Sequence, residues 1–379
     1  MSKTYDVCIR GAGIVGRSLA LHLAAKRLRV ALLAQSTATN PAHSDVRAYA
    51  LSPASRSLLE AIRCWPEDAH ATPVTQMHVH GGNSAAPVIF DAQTQGVDAL
   101  NWIVDVPVLE ALLQEAVRFQ PLIEMVDAPV KADLTVVCEG RASSTRQEYG
   151  VEFDVKPYQQ WALAARVDCA QPHGQVARQW FDAGDIVALL PLGGAQGTQC
   201  ALVWSLSPER AQALQAADST QFSAELETAS QNALGSITLC SERKVWPLQA
   251  AQARRWVGRA HGHSWALAGD AAHNVHPLAG QGLNLGLGDV AELVRILDTR
   301  AYWRSVGDPK LLRAYERARK ADYAVVGGSG DVLQQMFQQN HPTWQTLRNV
   351  GMRGFEMSGP LKRWITARAM GTSPSTTGA

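Results

Sequence analysis

Tyr5-Asp-Val-Cys-Ile-Arg10-Gly11-Ala-Gly13-Ile-Val15-Gly16 is the stretch on which the fold turns. Residues 5–10 form an apolar run of strand type. Ile14, Leu19, Leu21, Leu23 and Ala24 then recur at helical spacing, which predicts a helix over 14–27. A second apolar run, Arg29-Val-Ala-Leu-Leu-Ala34, follows at once. A strand, a helix and a strand in this order make a βαβ opening. The glycines between the first two suit a tight turn, close approach of backbone to a pyrophosphate, and close helix–strand contact. The helix start behind them offers unpaired N–H groups and a partial positive charge. Gly11, Gly13, Val15 and Gly16 are therefore candidate dinucleotide contacts. An acid is expected at the end of the second strand, roughly 20 residues on, to hold ribose hydroxyls. Gln35 occupies that place, and Arg10 precedes the first glycine.

Outward from this opening, helices are predicted over 53–63 and 106–119, the second ended by Pro121. Apolar runs at 122–126 and 134–138 read as further strands. From 151 to about 248 the texture becomes strands and turns, at 161–167, 176–181, 186–192, 199–206 and 243–247. One helix near 208–233 interrupts them. That pattern predicts a mainly antiparallel sheet. A strand at 265–268, a helix over 281–298 and helical sequence over 308–370 complete the chain, with a disordered tail at 371–379.

The composition sets bounds. With 46% hydrophobic and 18% charged residues the chain can bury a large core, and its 379 residues suggest two joined lobes. A net charge of +1 argues against bulk electrostatic binding of nucleic acid. The six cysteines form no C-x-x-C pair and no zinc spacing, so no metal is expected. They read as reduced core thiols, hence a cytoplasmic protein. The first strand begins too early for a signal peptide.

Three later stretches point to a flavin. Asp45-Val-Arg47-Ala-Tyr-Ala-Leu-Ser52-Pro-Ala-Ser55 offers Arg47 as a fixed cation for a flavin or a phosphate. Glu139-Gly140-Arg-Ala-Ser143-Ser-Thr-Arg146 follows a strand directly. Trp265-Ala-Leu-Ala-Gly269-Asp270-Ala-Ala-His273-Asn-Val-His276-Pro277-Leu-Ala-Gly280-Gln281-Gly282-Leu283-Asn284-Leu-Gly286-Leu-Gly288-Asp289 is the most informative. Asp270, at a strand end, would accept hydrogen bonds from ribityl or ribose hydroxyls. Gly280, Gly282 and Gly286 would let backbone approach a flat ring. The helix from Gln281 would aim its positive end at the flavin. Gly269, Pro277, Leu283 and Asn284 complete this candidate wall. His273 and His276 are expected to be structural, because a flavin carries the chemistry itself. His276 and Pro277 are the nearest candidates for a place beside it, and no residue is assigned as catalytic.

The 139–146 stretch resembles the D-G-x-x-S-x-x-R motif of flavin aromatic hydroxylases, with Glu139 for Asp. The string His276–Gly286 and the segment Arg47–Ser55 are similar to those of one branch, the ubiquinone-biosynthesis hydroxylases. Ala188–Leu192, Ala201–Trp204, Leu312–Arg319 and Gly359–Arg363 extend the resemblance over nearly the whole chain. It implies an α/β fold of the p-hydroxybenzoate hydroxylase type. An FAD/NAD(P)-binding Rossmann-like domain is expected over 1–71, 104–150 and 262–300. A mainly antiparallel substrate domain is expected over 72–103 and 151–261, and C-terminal helices over 301–370. It also implies hydroxylation of a prenylated phenol or quinol with FAD, transient NAD(P)H and O2, through a flavin C4a-hydroperoxide. Leu190, Pro191, Val203, Trp204 and Trp246 are the candidate substrate walls. Two other readings stand beside it: a hydroxylase of a soluble phenolic compound, and a non-catalytic paralogue within a quinone-biosynthesis assembly. The family's small β-meander is missing, since only Asp127–Asp133 separate Val126 from Leu134. A basic amphipathic stretch at 348–368 is a candidate for contact with an anionic membrane surface.

Overall fold

The computed structural model describes residues 4–34, 46–81, 87–182, 184–275 and 281–338. Within them the strands Tyr5–Arg10 and Val30–Leu33 flank the helix Ile14–Ala25 and pair in parallel, as the opening predicts. They lie in a six-stranded sheet with Ile123–Val126, Ala132–Val137, Val257–Ala260 and His263–Leu267. Only the hairpin Val257–Leu267 is antiparallel. Val7, Ile9, Val30 and Leu32 point to one face, beneath the helices Ile14–Ala25, Val106–Arg118 and Gln281–Asp298.

The other face is covered differently. Ile123–Val126 pairs with Val30–Leu33 at the sheet edge, whereas Ala132–Val137 pairs with Tyr5–Arg10. Both run parallel to the sheet, so residues 127–131 must return across three strand spacings, about 14 Å. Only an extended path covers that, at roughly 3.3–3.6 Å per residue. Val130 on this strap, with Val126 at the end of the preceding strand, packs against the small residues Cys8, Ala31 and Ala132. The strap lies where a β-meander was expected to be missing.

A nine-stranded sheet forms the second layer system. Its central strands Phe153–Cys169, Val176–Asp182, Asp185–Pro191, Gln199–Leu206 and Lys244–Ala253 are antiparallel neighbours. Two outrun their predicted lengths, because the polar half of Phe153–Cys169 pairs with the polar half of Lys244–Ala253. The single predicted helix near 208–233 is two, Pro208–Ala216 and Ser219–Ala229. Asp218 ends the first by capping the second, accepting from the Gln221 N–H at 2.9 Å. Both pack on the sheet face carrying Leu163, Leu202, Trp204 and Leu206.

A three-stranded sheet, Ala48–Leu51, Ala71–Val74 and Asn101–Asp105, joins the two. Its Ala50, Val74 and Ile103 pack against Ala177, Leu192 and Ala201 of the nine-stranded sheet. The helix Pro309–Gln338 closes the first layer, with Leu312 and Tyr315 in its core.

Candidate active site

Three turns lie side by side at the C-terminal ends of neighbouring parallel strands. Backbone bonds link them in sequence: Gly11 N–H to Leu33 O (2.9 Å), Cys138 N–H to Arg10 O (2.7 Å), and Ala268 N–H to Val137 O (3.0 Å). In open α/β sheets this edge is where ligands sit. The predicted residues Gly11–Gly16, Glu139–Gly140 and Gly269–Asp270 are thus brought together by the sheet.

The glycines there divide into two kinds. At Gly11, with φ +113°, an added Cβ would lie 2.4 Å from the Cys138 carbonyl oxygen, and at Gly16 it would lie 1.9 Å from that of Gly11. Gly269 and Gly286 close on Val15 in the same way, with Cβ distances of 3.2 and 2.8 Å. Val15 is therefore a wedge between the first helix, the 269 turn and the helix Gln281–Asp298. At Gly13, Gly140 and Gly282, by contrast, a Cβ would meet no atom of the described residues within 4 Å. Gly13 is also the N-cap of Ile14–Ala25, and no side chain caps that helix or places an acid in its first turn. Open space before uncapped N–H groups is what phosphates require.

Asp270 sits at this edge, with the Asn274 amide 3.4 Å from its carboxylate. Burial raises its pKa, against the charges of His273, Arg141 and Arg47. Arg47 and Arg141 therefore lie within electrostatic reach of Asp270. An acid to receive hydroxyls, cations for phosphates and an uncapped helix start together fit FAD.

Other predicted residues serve the frame instead. The Glu139 side chain is 1% exposed. It accepts from the Ser143 hydroxyl (2.7 Å), the Thr145 N–H (3.0 Å) and the Thr145 hydroxyl (2.5 Å), and it pairs with Arg10 Nε at 3.3 Å. Burial pushes its carboxyl up, but these hydrogen bonds and the Arg10 charge outweigh it and hold it below the ordinary range. Its carboxylate is thus committed inside the chain. Arg10 is its counter-ion and also reaches Glu148 at 3.1 Å.

Asn284 is likewise internal. Its Oδ1 accepts from the Ser52 N–H (2.9 Å) and the Ser55 hydroxyl (2.7 Å), and its Nδ2 donates to the Ala50 carbonyl (2.7 Å). Ser52 caps the helix Pro53–Ala61. Asn284 therefore staples the Arg47–Ser55 segment to the helix Gln281–Asp298, and that explains both motifs. Leu283 packs on the first core and Gln281 opens its helix. Gln35, His276, Pro277 and Gly280 lie outside the described residues, as does 348–368.

The five candidate substrate walls do not converge. Side chains alternate across a strand. Trp204 and Pro191 therefore share the face of Cys200, against the helices Pro208–Ala216 and Ser219–Ala229, with Trp204 1% exposed. Val203, Leu190 and Trp246 share the opposite face. There Ala162 faces both Ser205 and Trp246, and Ala164 faces Val203. Leu190 packs toward the three-stranded sheet. Trp204 and Pro191 are excluded from any wall with the other three.

Sequence reasoning quoted three residues within its motifs without giving them the role they have in holding the site. Arg146 donates to the carbonyls of Ala271 (3.1 Å) and Arg141 (2.7 Å), and its guanidinium lies 3.6 Å from the Phe153 ring centre. Asp289 and Arg319 form a buried ion pair at 2.7 Å. An acid on the buried face of the apolar helix 281–298 was the available signal. Among the described residues no group of His, Cys, Asp and Glu could hold a metal ion, and no helix is long and apolar enough to cross a membrane.

A family model described as "FAD binding domain" matches residues 124–326. The 3-demethoxyubiquinol 3-hydroxylase of Escherichia coli is 29% identical over 393 residues, covering 97% of this chain and 98% of that protein. Ubiquinone hydroxylase UbiL of Rhodospirillum rubrum is 30% identical over 395 residues, covering 98% and 90%. Two solved structures share the fold. PqsL of Pseudomonas aeruginosa, described as a probable FAD-dependent monooxygenase, has a TM-score of 0.74 at 23% identity over 93% of this chain and 100% of its own. The p-nitrophenol 4-monooxygenase PnpA of Pseudomonas putida has a TM-score of 0.75 at 18% identity over 98% and 99%. Joined to a strand-end crevice that fits FAD, these likenesses make the chain a member of the ubiquinone-biosynthesis hydroxylases, FAD-dependent aromatic monooxygenases.

Proposed function

We propose that this protein hydroxylates the ring of a prenylated phenol or quinol in ubiquinone biosynthesis, using NAD(P)H and O2. The observation that carries the reading is the likeness to two ubiquinone-pathway hydroxylases along almost the entire chain, at coverages of 97% and 98%. FAD, when bound, takes up hydride from the nicotinamide and activates oxygen. The chain's own residues position and shield. Gly13 and the N–H groups of Ile14–Ala25 receive the pyrophosphate, with Arg47 beside it. Asp270 accepts hydroxyl hydrogen bonds from the cofactor. Gly140 and Gly282 leave room for its approach, and the helix beginning at Gln281 turns its positive end toward the ring.

The substrate ring lies on the face of the nine-stranded sheet that carries Ala162, Ala164, Val203 and Trp246. Trp246, partly buried on this face beside Val203, offers a wall. Arg166, further along this face, is paired with Asp105 at 2.6 Å, so it has no charge to spare for a substrate carboxylate. That disfavours a soluble phenolic acid. The 348–368 stretch would bring the enzyme to an anionic bilayer holding a lipid-tailed substrate. Co-sedimentation with anionic vesicles, lost on truncation at Met352, is the expected result there.

The test of the main reading is FAD-loaded protein with NADPH, O2 and a short-chain prenylated quinol. Stimulated NADPH oxidation with a ring-hydroxylated product is expected. NADPH oxidation that responds to small hydroxybenzoates and not to prenylated rings would overturn the substrate class.

A further inference from the structure

The turn Gly269–Asn274 carries Asp270 and is held in part by the Ala272 N–H on the Gly269 carbonyl (2.8 Å), by Arg146 on the Ala271 carbonyl (3.1 Å) and by pairing of His273–Asn274 with Ala251–Gln252. Further support comes from behind. Gly269 donates its N–H to Asp289 Oδ2 at 2.8 Å, and His273 Nε2 lies 2.7 Å from the same oxygen. The other oxygen, Oδ1, accepts from Arg319 Nε at 2.7 Å. Arg319 also donates to the Leu285 carbonyl at 3.1 Å and to Asp322 at 2.5 Å. His273 stacks on Trp256 with ring centres 4.8 Å apart. Asp289 is 0% exposed, His273 2% and Arg319 6%.

This cluster joins three elements: the turn, the helix Gln281–Asp298 and the helix Pro309–Gln338. A Cβ at Gly288 would lie 2.8 Å from an Arg319 nitrogen, so that position is bare where the guanidinium enters. A planar guanidinium can meet a carboxylate, a carbonyl and a second acid at once, in fixed directions; an ammonium cannot. A buried carboxylate accepting from a backbone N–H, an imidazole and a guanidinium is fixed on both oxygens. The Gly269 N–H is then fixed, through Asp289, by a residue on the helix Pro309–Gln338, whose Tyr323 hydroxyl also lies 3.4 Å from the Asn274 carbonyl of the turn.

We propose that Arg319 is a positioning residue of the cofactor site: through Asp289 it sets the backbone of Gly269 and the ring of His273, and so the direction in which Asp270 meets FAD. This rests on the reading that Asp270 meets FAD. The long C-terminal helix is, on this account, part of the cofactor site's support and not only a cover for the core.

The test uses the full chain freed of flavin and titrated with FAD by fluorescence quenching, with the visible spectrum of the bound flavin and Tm recorded alongside. Arg319→Met should weaken FAD binding about 10- to 100-fold, by analogy with loss of a residue that orients a metal ligand, and should shift the bound flavin's spectrum. Arg319→Lys keeps a charge opposite Asp289 without the second and third hydrogen bonds. It should recover most of the Tm and only part of the affinity. Phe222→Leu, in the separate core of the nine-stranded sheet, should lower Tm and leave FAD affinity unchanged. If Arg319→Met does not fold, Arg319→Lys decides. Asp270→Ala separates the two layers of the argument. FAD affinity lowered in Asp270→Ala but unchanged in the Arg319 variants would overturn the positioning role alone. Affinity unchanged in Asp270→Ala as well would overturn the reading of the site and this role with it.

Discussion

The strand-end crevice of the six-stranded sheet and the helix-covered core of the nine-stranded sheet bury their side chains on opposite terms. Behind the crevice, Arg146, His273, Asp289 and Arg319 are all buried, and all are tied to one another or to backbone. The other core is built from the large apolar side chains Leu163, Leu202, Trp204, Phe222 and Leu226, with the Arg243 guanidinium against the Phe222 ring. Burying polar groups costs several kcal/mol unless they are paired. Apolar packing would be the simpler way to make either region. The difference lies in what each must hold. The second core presses two helices on a sheet, and contact on all sides fixes it. The crevice turns must stay open on the ligand side, where no described atom lies within 4 Å of a Cβ added at Gly13, Gly140 or Gly282. Directional bonds from behind replace the missing contacts.

The sharpest way to break this contrast is in the first turn. Gly16→Ala would put a Cβ 1.9 Å from a backbone oxygen that cannot yield. We expect loss of FAD binding and a large fall in Tm, beyond the ~1–3 kcal/mol of ordinary overpacking. Gly13→Ala, three residues away, meets no described atom within 4 Å. It should keep its Tm and lose FAD affinity only. Equal Tm values for the two variants would show that the glycines are not divided as described.

Next in size are two deletions of similar cost and different consequence. Asp289→Ala leaves His273 and Arg319 buried without their partner, at about 3–5 kcal/mol. Trp204→Ala opens a cavity at about the same 3–5 kcal/mol. Urea unfolding should give comparable losses. FAD titration should separate them, with affinity reduced for Asp289→Ala and normal for Trp204→Ala. Weak FAD binding by Trp204→Ala would mean that the two regions are not independent.

A subtler contrast lies in pH. Burial raises the Asp270 carboxyl above its ordinary value, against the pull of His273, Arg141 and Arg47. Burial pushes Asp289 the same way, but His273 and Arg319 outweigh it and hold that carboxyl low. The signs follow by linkage. Asp289 contributes stability at neutral pH that is lost only as pH falls below the ordinary carboxylate range. Asp270 in the free protein takes up a proton, so stability falls as pH rises from the ordinary value through its raised one. Cofactor hydroxyls favour its carboxylate form. FAD affinity should therefore rise as pH rises above the ordinary carboxylate value and level off once Asp270 is fully ionised. Asp270→Asn should give a flat profile, and a wild-type profile in that variant would remove Asp270 from the cofactor contacts. The smallest effect is expected at Trp303, which is 71% exposed. Trp303→Ser should change stability by no more than about 0.5 kcal/mol, the usual range for surface positions.

Much of this was legible in the chain itself. The opening βαβ unit is, because its strand and helix periods and its glycine turn are properties of consecutive residues. The crevice glycines and Asp270 are, because each follows its own strand. Within Asp185–Leu206 even the opposition of Val203 and Trp204 follows from alternation, although the sequence reading placed both on one wall. What alternation lacks is a statement of which face meets the helices. The three-stranded sheet and the paired helices Pro208–Ala216 and Ser219–Ala229 decide that, and they do so from distant parts of the chain.

Glu139 shows the same limit. Its bonds to Ser143 and Thr145 are local, but its pairing with Arg10 depends on a parallel strand pair formed across more than a hundred residues. The strap at 127–131 reads as a deletion until the strand order shows that it must cross Cys8 and Ala31. Arg319 is one arginine among many in a helical stretch, and only the packing of two helices makes it the partner of Asp289. The sequence by itself determined the elements and the backbone geometry of the turns, because those depend on neighbours in the chain. The tertiary structure alone decided which polar groups are spent on one another and which are left for the cofactor, because burial and pairing depend on neighbours in space.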